Sequence, residues 1–133
     1  MKKYDILVIG SGGGSKLCVP AAQLGYTVAI VEKSKMGGTC LNRGCIPSKM
    51  TIYPATLAQM IRESKKFGIH AQIKKIDFEK LIKRISKTVD DDEEGIRDSY
   101  KGSKNPVLYA GDAKFVSEKV IEVNGEQITA DKI

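Results

Sequence analysis

Three features of this 133-residue sequence predict an α/β fold. A short apolar run leads through a glycine-rich turn and a helical stretch into a second β-branched run that closes on an acid. Two longer stretches then carry apolar residues at helical period. The last quarter changes to short apolar runs separated by turn residues, the pattern of a small antiparallel β-meander.

The first unit is the most specific. Ile6-Leu-Val-Ile9 reads as a buried strand within Tyr4–Ile9, closed by Gly10. Gly10-Ser11-Gly12-Gly13-Gly14-Ser15 is the turn, Lys16–Leu24 a short helix ending at Gly25, and Val28–Val31 the second strand, ending in Glu32. This is the βαβ unit of a Rossmann-like dinucleotide-binding fold. Gly10 permits a tight exit from the strand. Gly12, lacking a side chain, lets a pyrophosphate approach the backbone, and the helix N-terminus supplies unpaired N–H groups. Glu32 stands 22 residues after Gly10, where an acid accepts hydrogen bonds from a ribose. Ser15 occupies the third glycine position, which serves close helix–strand packing and tolerates a small residue. Pro20 falls inside the predicted helix and predicts a bend or an irregular last turn. Cys18, on the same helix, reads as a small buried hydrophobe.

Next comes Met36-Gly-Gly-Thr-Cys40-Leu-Asn-Arg-Gly-Cys45-Ile-Pro-Ser-Lys49, with two of the three cysteines spaced C-x4-C. The N-terminal apolar run is about five residues, too short for the core of a signal peptide, so a cytoplasmic setting is expected, where a close cysteine pair does redox or metal chemistry. Thr39 is expected to cap a helix starting near Cys40, which would lower that thiol's pKa. Gly44 and Pro47 supply the distortion that brings two sulfurs together. An inert thiol pair is one competing reading. Zinc held by Cys18, Cys40, Cys45 and His70 is another, though no second close ligand pair supports it. His70 is expected to lie exposed in a connection.

Ser48–Phe67 reads as a long helix whose stripe Ile52, Leu57, Met60, Ile61 and Phe67 belongs to the core, with a possible bend at Pro54. Asp77–Tyr100 is the second long helix, with Asp77 as N-cap, Phe78, Leu81, Ile82, Ile85 and Val89 at helical period, and Asp90–Glu94 as a solvated face. Val107–Ala110, Ala113–Val116, Lys119–Val123 and Glu126–Ile128 read as the strands of the meander, with Asn124-Gly125 as a hairpin turn. Thr129–Ile133 has the look of the beginning of a strand that is cut.

Net charge is +6, with lysines spread over helical segments and interrupted by acids. This reads as a solvated surface, with no nucleic-acid partner. No apolar run approaches the roughly 18–20 residues of a membrane span.

Gly10-x-Gly12-x-x-Ser15, Glu32-Lys33 and Gly37-Gly-Thr-Cys-Leu-Asn-Arg-Gly-Cys-Ile-Pro-Ser-Lys49 together resemble the pyridine nucleotide–disulfide oxidoreductases, which include dihydrolipoamide dehydrogenase, mercuric reductase and mycothione reductase. The resemblance is most specific over residues 4–50. It implies that residues 1–133 are the N-terminal part of an FAD-binding domain, with the NAD(P) domain and the dimer-interface domain absent from this stretch. Gly10, Ser11, Gly12, Gly14 and Ser15 would hold the FAD pyrophosphate. Glu32, followed by Lys33, would bind the adenosine ribose. Gly38 and Thr39 would meet the phosphate–ribitol portion, and Ala113 the adenine. Cys40 and Cys45 would form the redox-active disulfide, Cys45 in charge-transfer contact with the isoalloxazine and Cys40 exchanging with substrate. Lys49 would sit by the flavin N5 edge. The resemblance further implies NAD or NADP as second cofactor, a dithiol or disulfide substrate such as lipoamide, and a homodimeric full-length enzyme. Mercuric ion or a low-molecular-weight thiol disulfide is the alternative substrate, and a stand-alone nucleotide-binding redox module the alternative class. The family's catalytic His–Glu pair has no match here, so this stretch alone is expected to lack turnover.

Overall fold

A computed structural model describes all of residues 1–133. Its centre is a six-stranded sheet with the strands in the order β3-β2-β1-β6-β5-β4. Strands β1 (Lys2–Ile9), β2 (Val28–Glu32), β3 (Val107–Ala110) and β6 (Glu126–Lys132) run parallel. Strands β4 (Ala113–Ser117), β5 (Val120–Val123) and the same β6 form the antiparallel meander. The meander is therefore smaller than the sequence suggests. Val107–Ala110 leaves it and pairs parallel to β2, with Leu108 opposite Ile30. A four-residue apolar run carries no mark of its partner, so only the fold decides this.

The sheet does not lie flat. Gly111 and Asp112 alone separate β3 from β4, yet these strands stand at opposite ends of the order. The Asn124 amide, in the β5–β6 turn, donates to the Ala110 carbonyl at 2.8 Å. Both facts require the meander to swing back across one face of the parallel strands.

Strands β1, β2 and β3 are consequently covered on both faces, as their continuous apolar runs demand. Leu7, Ala29, Val31 and Tyr109 pack with Ile121, Val123, Ile128 and Ala130 of the meander. Ile6, Val8, Val28, Ile30 and Leu108 face the helices, against Cys18, Met36, Ile96 and Tyr100. Cys18 is fully buried there, as its reading required, and burial holds its thiol above the ordinary range.

Pro20 is accommodated by a change of helix type. The predicted single helix divides into a 3₁₀ turn, Gly13–Leu17, and a short helix α1, Cys18–Gln23. Pro20 then falls in the first turn of α1, where a missing N–H costs nothing. Helix α2 spans Gly38–Arg43 and α3 Cys45–Glu63, continued by a 3₁₀ turn, Ser64–Phe67, that ends at left-handed Gly68. Helix α4 runs Phe78–Tyr100, and the Asp77 side chain caps it by accepting from the Lys80 N–H at 3.0 Å.

Two expectations for these helices fail. The stripe on α3 is not core: Ile52, Leu57, Met60 and Phe67 are all exposed, and no α3 residue is buried. Periodicity shows that a helix has an apolar face but not that these 133 residues cover it. In α4, Glu93 is buried within the acidic run read as solvated. No helix is long and apolar enough to cross a membrane.

Candidate cofactor cleft and thiol pair

The carboxyl ends of β1 and β2 open onto a cleft of about 290 Å³ lined by Gly10, Ser11, Gly12, Glu32, Ser34, Lys35, Gly38, Thr39, Asn42 and Arg43. It lies where such sheets bind nucleotides, at the loop following the central strand. Gly10 leaves β1 at φ 90°, and its N–H donates to the Val31 carbonyl at 2.7 Å. That conformation is open to glycine and strained for other residues. Gly38, at φ 64°, closes the far wall: a Cβ there would stand 2.7 Å from the Gly12 Cα. Two backbones thus approach with no side chain between them.

Glu32 accepts from the Ser11 N–H at 2.8 Å, the Ser11 hydroxyl at 2.6 Å and the Ser34 N–H at 2.8 Å. Burial pushes its carboxyl up, but these hydrogen bonds outweigh it and hold the group below the ordinary range. It is ionised at neutral pH and offers acceptor oxygens at the cleft.

Ser15 ties the turn together by donating to the Ser11 and Gly12 carbonyls at 3.1 and 2.7 Å. The tight contact between turn and strand falls one residue earlier, where a Cβ on Gly14 would stand 3.3 Å from Val8 Cγ1. Neither Gly14 nor Ser15 lines the cleft. Lys33 and Ala113 line a neighbouring crevice of about 230 Å³ with Ile9, Gly111 and Asp112. Gly10 and Glu32 belong to both cavities, which therefore adjoin.

The thiols lie just beyond. Helix α2 carries Cys40, and Cys45 opens α3 directly after Gly44. A Cβ on Gly44 would stand 3.0 Å from the Thr39 carbonyl oxygen, so glycine allows the two helices to abut. Both thiols are free and exposed, and the Cys45 side chain is the strongest influence on the Cys40 thiol. Thr39 is not a cap: Gly37, at φ 92°, stands before the helix, and Thr39 lies inside it. Nor is Cys40 acidified. The hydrogen bond with the Cys45 side chain, helped by desolvation, raises its pKa above the ordinary thiol value, while the positive charge of Lys49 works in the opposite direction. Lys49, one turn along α3, thus belongs to the thiol cluster.

No group of three or more His, Cys, Asp or Glu side chains is gathered to hold a metal, so the zinc set of the sequence is not assembled. His70 is exposed in its connection.

Sequence reasoning missed Ser34, Lys35, Asn42 and Arg43 in the cleft wall, and Glu93 and Arg97 behind it. The Asn42 amide donates to the Met36 and Gly38 carbonyls at 2.8 and 2.9 Å. Its Oδ1 is buried without a partner. Asn42 and Arg43 lie between the cysteines and were legible as polar; only α2 turns them into the cleft.

The fold is Rossmann-like, with a groove at the carboxyl ends of β1 and β2 and two thiols beside it. Residues 4–133 match the family described as pyridine nucleotide-disulphide oxidoreductase, and the chain belongs to that family. It is 36% identical over 127 residues to a dihydrolipoyl dehydrogenase of Chlamydia trachomatis, covering 92% of this chain and 26% of that protein. It is 32% identical over 134 residues to a mercuric reductase of Bacillus cereus, covering 97% and 21%. It is 38% identical over 90 residues to a mycothione reductase of Mycobacterium tuberculosis, covering 68% and 19%. The matched part of the chain spans about a fifth to a quarter of the length of these relatives.

Proposed function

We propose that this chain is the FAD-binding, dithiol-bearing N-terminal part of a dihydrolipoamide dehydrogenase-type oxidoreductase. One observation carries the reading. The six-residue helix α2 supplies four residues of the cleft wall, Gly38, Thr39, Asn42 and Arg43, and also one of the two thiols. Nucleotide groove and sulfur chemistry are thus joined in one rigid piece.

The residues fit FAD. The groove's phosphate end has no apolar side chain, its backbones meet glycine to glycine, and a buried amide oxygen in its wall lacks a partner. In this reading Gly10, Ser11, Gly12, Gly38 and Thr39 hold the pyrophosphate and adjoining phosphate–ribitol portion. Gly14 and Ser15 shape the turn behind them. Glu32 accepts from the ribose, and Lys33 and Ala113 border the adenine. When bound, FAD supplies a site that accepts and returns an electron pair, with NAD or NADP as the other partner in the full-length enzyme.

The thiols carry the rest. A Cys40 thiolate attacks a substrate disulfide and releases one substrate thiol, leaving a mixed disulfide. Cys45 displaces the second substrate thiol and closes Cys40–Cys45. The enzyme pair loses two electrons and two protons, and the substrate disulfide gains them; a dithiol such as dihydrolipoamide drives the reverse. Lys49 favours the attacking thiolate. We read the full-length enzyme as a cytoplasmic homodimer. The likenesses to a mercuric and a mycothione reductase support the alternative substrates, mercuric ion or a low-molecular-weight thiol disulfide.

Titration of the purified chain with FAD tests the reading. Saturable binding, with quenched flavin fluorescence, is expected, and Gly38→Ala is expected to abolish it. Binding that ignored this substitution would sink the assignment of the cleft. With no match in it to the family's catalytic His–Glu pair, the chain by itself is expected to show no NAD(P)H-dependent disulfide reduction.

A further inference from the structure

We propose that Glu93, with Asp90 and Arg97 beside it on α4, is a positioning residue for the cofactor cleft: it fastens the Ser34–Gly38 wall so that Gly38 stays against Gly12. The inference rests on the FAD reading of that cleft.

The three side chains are spaced by three and four residues, so they share one face of α4. Each grips the wall. Glu93 Oε1 accepts from the Met36 N–H at 2.9 Å. The same oxygen accepts from Arg97 Nε at 3.0 Å and Arg97 Nη2 at 2.6 Å. Arg97 Nη2 also reaches the Ser34 carbonyl at 3.3 Å. Lys35 pairs with Asp90 at 2.6 Å. A loop of glycines and short polar residues has little reason to keep one position by itself. Here a buried carboxylate, only 8% exposed, holds its central amide from behind. The wall is gripped again from α2, because Asn42 binds the carbonyls on either side of the Gly37 turn. Opposite stands Gly12, close enough to Gly38 that a methyl group would not fit. The width of the cleft is therefore set by α4, an element that contributes no lining residue to it.

Glu93 is polar, buried and inside an otherwise exposed acidic run. A carboxylate there serves no packing purpose that an apolar residue of α4 would not serve better. Its three bonds all point to the wall or to the residue that also holds the wall.

The test compares Glu93→Ala, Glu93→Gln and Asp92→Ala in the whole chain by two readouts: FAD titration, and amide exchange of Met36 relative to Leu7 and Ile30 in the core strands. Glu93→Ala is expected to weaken FAD binding about tenfold or more, the scale of one lost buried charge-assisted hydrogen bond. It should speed Met36 exchange while Leu7 and Ile30 stay protected. Glu93→Gln restores an acceptor and is expected to recover most of both, and Asp92→Ala to match the parent. Unchanged Met36 protection in Glu93→Ala would overturn the inference, as would faster exchange with unchanged FAD affinity. A Gln variant no better than Ala would overturn it too. If Glu93→Ala does not fold, Arg97→Met decides by the same two readouts. A parent chain that bound no FAD, with Met36 still protected by Glu93, would overturn the cofactor reading and this inference with it; loss of the clamp alone leaves that reading standing.

Discussion

At the scale of single residues, the chemistry of the thiol pair turns on one neighbour. Cys40 lies on a helix, but helix position does not decide its proton. The hydrogen bond with the Cys45 side chain raises its pKa, desolvation adds to this, and Lys49 opposes both. Removing the cation therefore moves thiolate formation to still higher pH. Lys49→Gln is expected to slow alkylation of Cys40 by iodoacetamide near neutral pH several-fold, with the rate–pH profile displaced upward. A profile identical to the parent's would show that Lys49 does not act on the pair. The cysteines, glycines, Glu32 and Lys49 were all legible, because each belongs to a motif with a spacing. Glu93 was not. A single carboxylate among four other acids carries no pattern, and its role exists only where α4 crosses the Met36 turn.

At the scale of elements, periodicity located the helices but overstated what they bury. Ile30 is fully buried between strand and helices, whereas Leu57 on α3 is 48% exposed. Truncating the first leaves a cavity; changing the second removes little contact. Ile30→Ala is expected to cost about 2–5 kcal/mol, and Leu57→Lys to stay within roughly 0.5 kcal/mol of the parent in urea unfolding. Comparable losses would mean that α3 packs its stripe in solution. The first helix teaches the converse lesson. Pro20 predicted a bend or an irregular last turn, whereas the irregularity falls in the first turns, as a change from 3₁₀ to α geometry at Cys18. Asn105 shows how a strand's partner is chosen by contacts outside the strand. Its Oδ1 accepts from the Val28 N–H at 2.8 Å and its amide donates to the Tyr26 carbonyl at 2.8 Å, clipping the entry of β3 to the start of β2.

For the molecule as a whole, five carboxylates held below their ordinary range couple the fold to pH, and three of them are bound by backbone amides. Glu93 sits below its ordinary range chiefly because the Met36 N–H binds it. Glu32 does so because the hydrogen bonds from Ser11 and Ser34 overcome burial, and Asp5 because the Thr27 hydroxyl and N–H bind it. In each case the unfolded chain takes up its proton first as pH falls. The stabilisation is complete above the unfolded carboxyl values, near pH 4.3, and is lost as pH drops through the folded ones. The melting temperature is expected to be flat from about pH 7 to 5 and to fall below about pH 4. Glu93→Gln should flatten that acid limb. An acid limb of unchanged steepness would mean that Glu93 titrates alike in both states.

By itself the sequence determined the βαβ unit, the glycine turn, the acid at the end of β2 and the adjacent thiols, because each is written in neighbouring residues or a fixed spacing. The tertiary structure alone decided that Val107–Ala110 joins the parallel strands, that the meander folds over them, that the α3 stripe faces outward and that Glu93 holds the cleft wall. These depend on which distant surfaces meet, and burial and hydrogen bonding between distant segments leave no local signature in the order of residues.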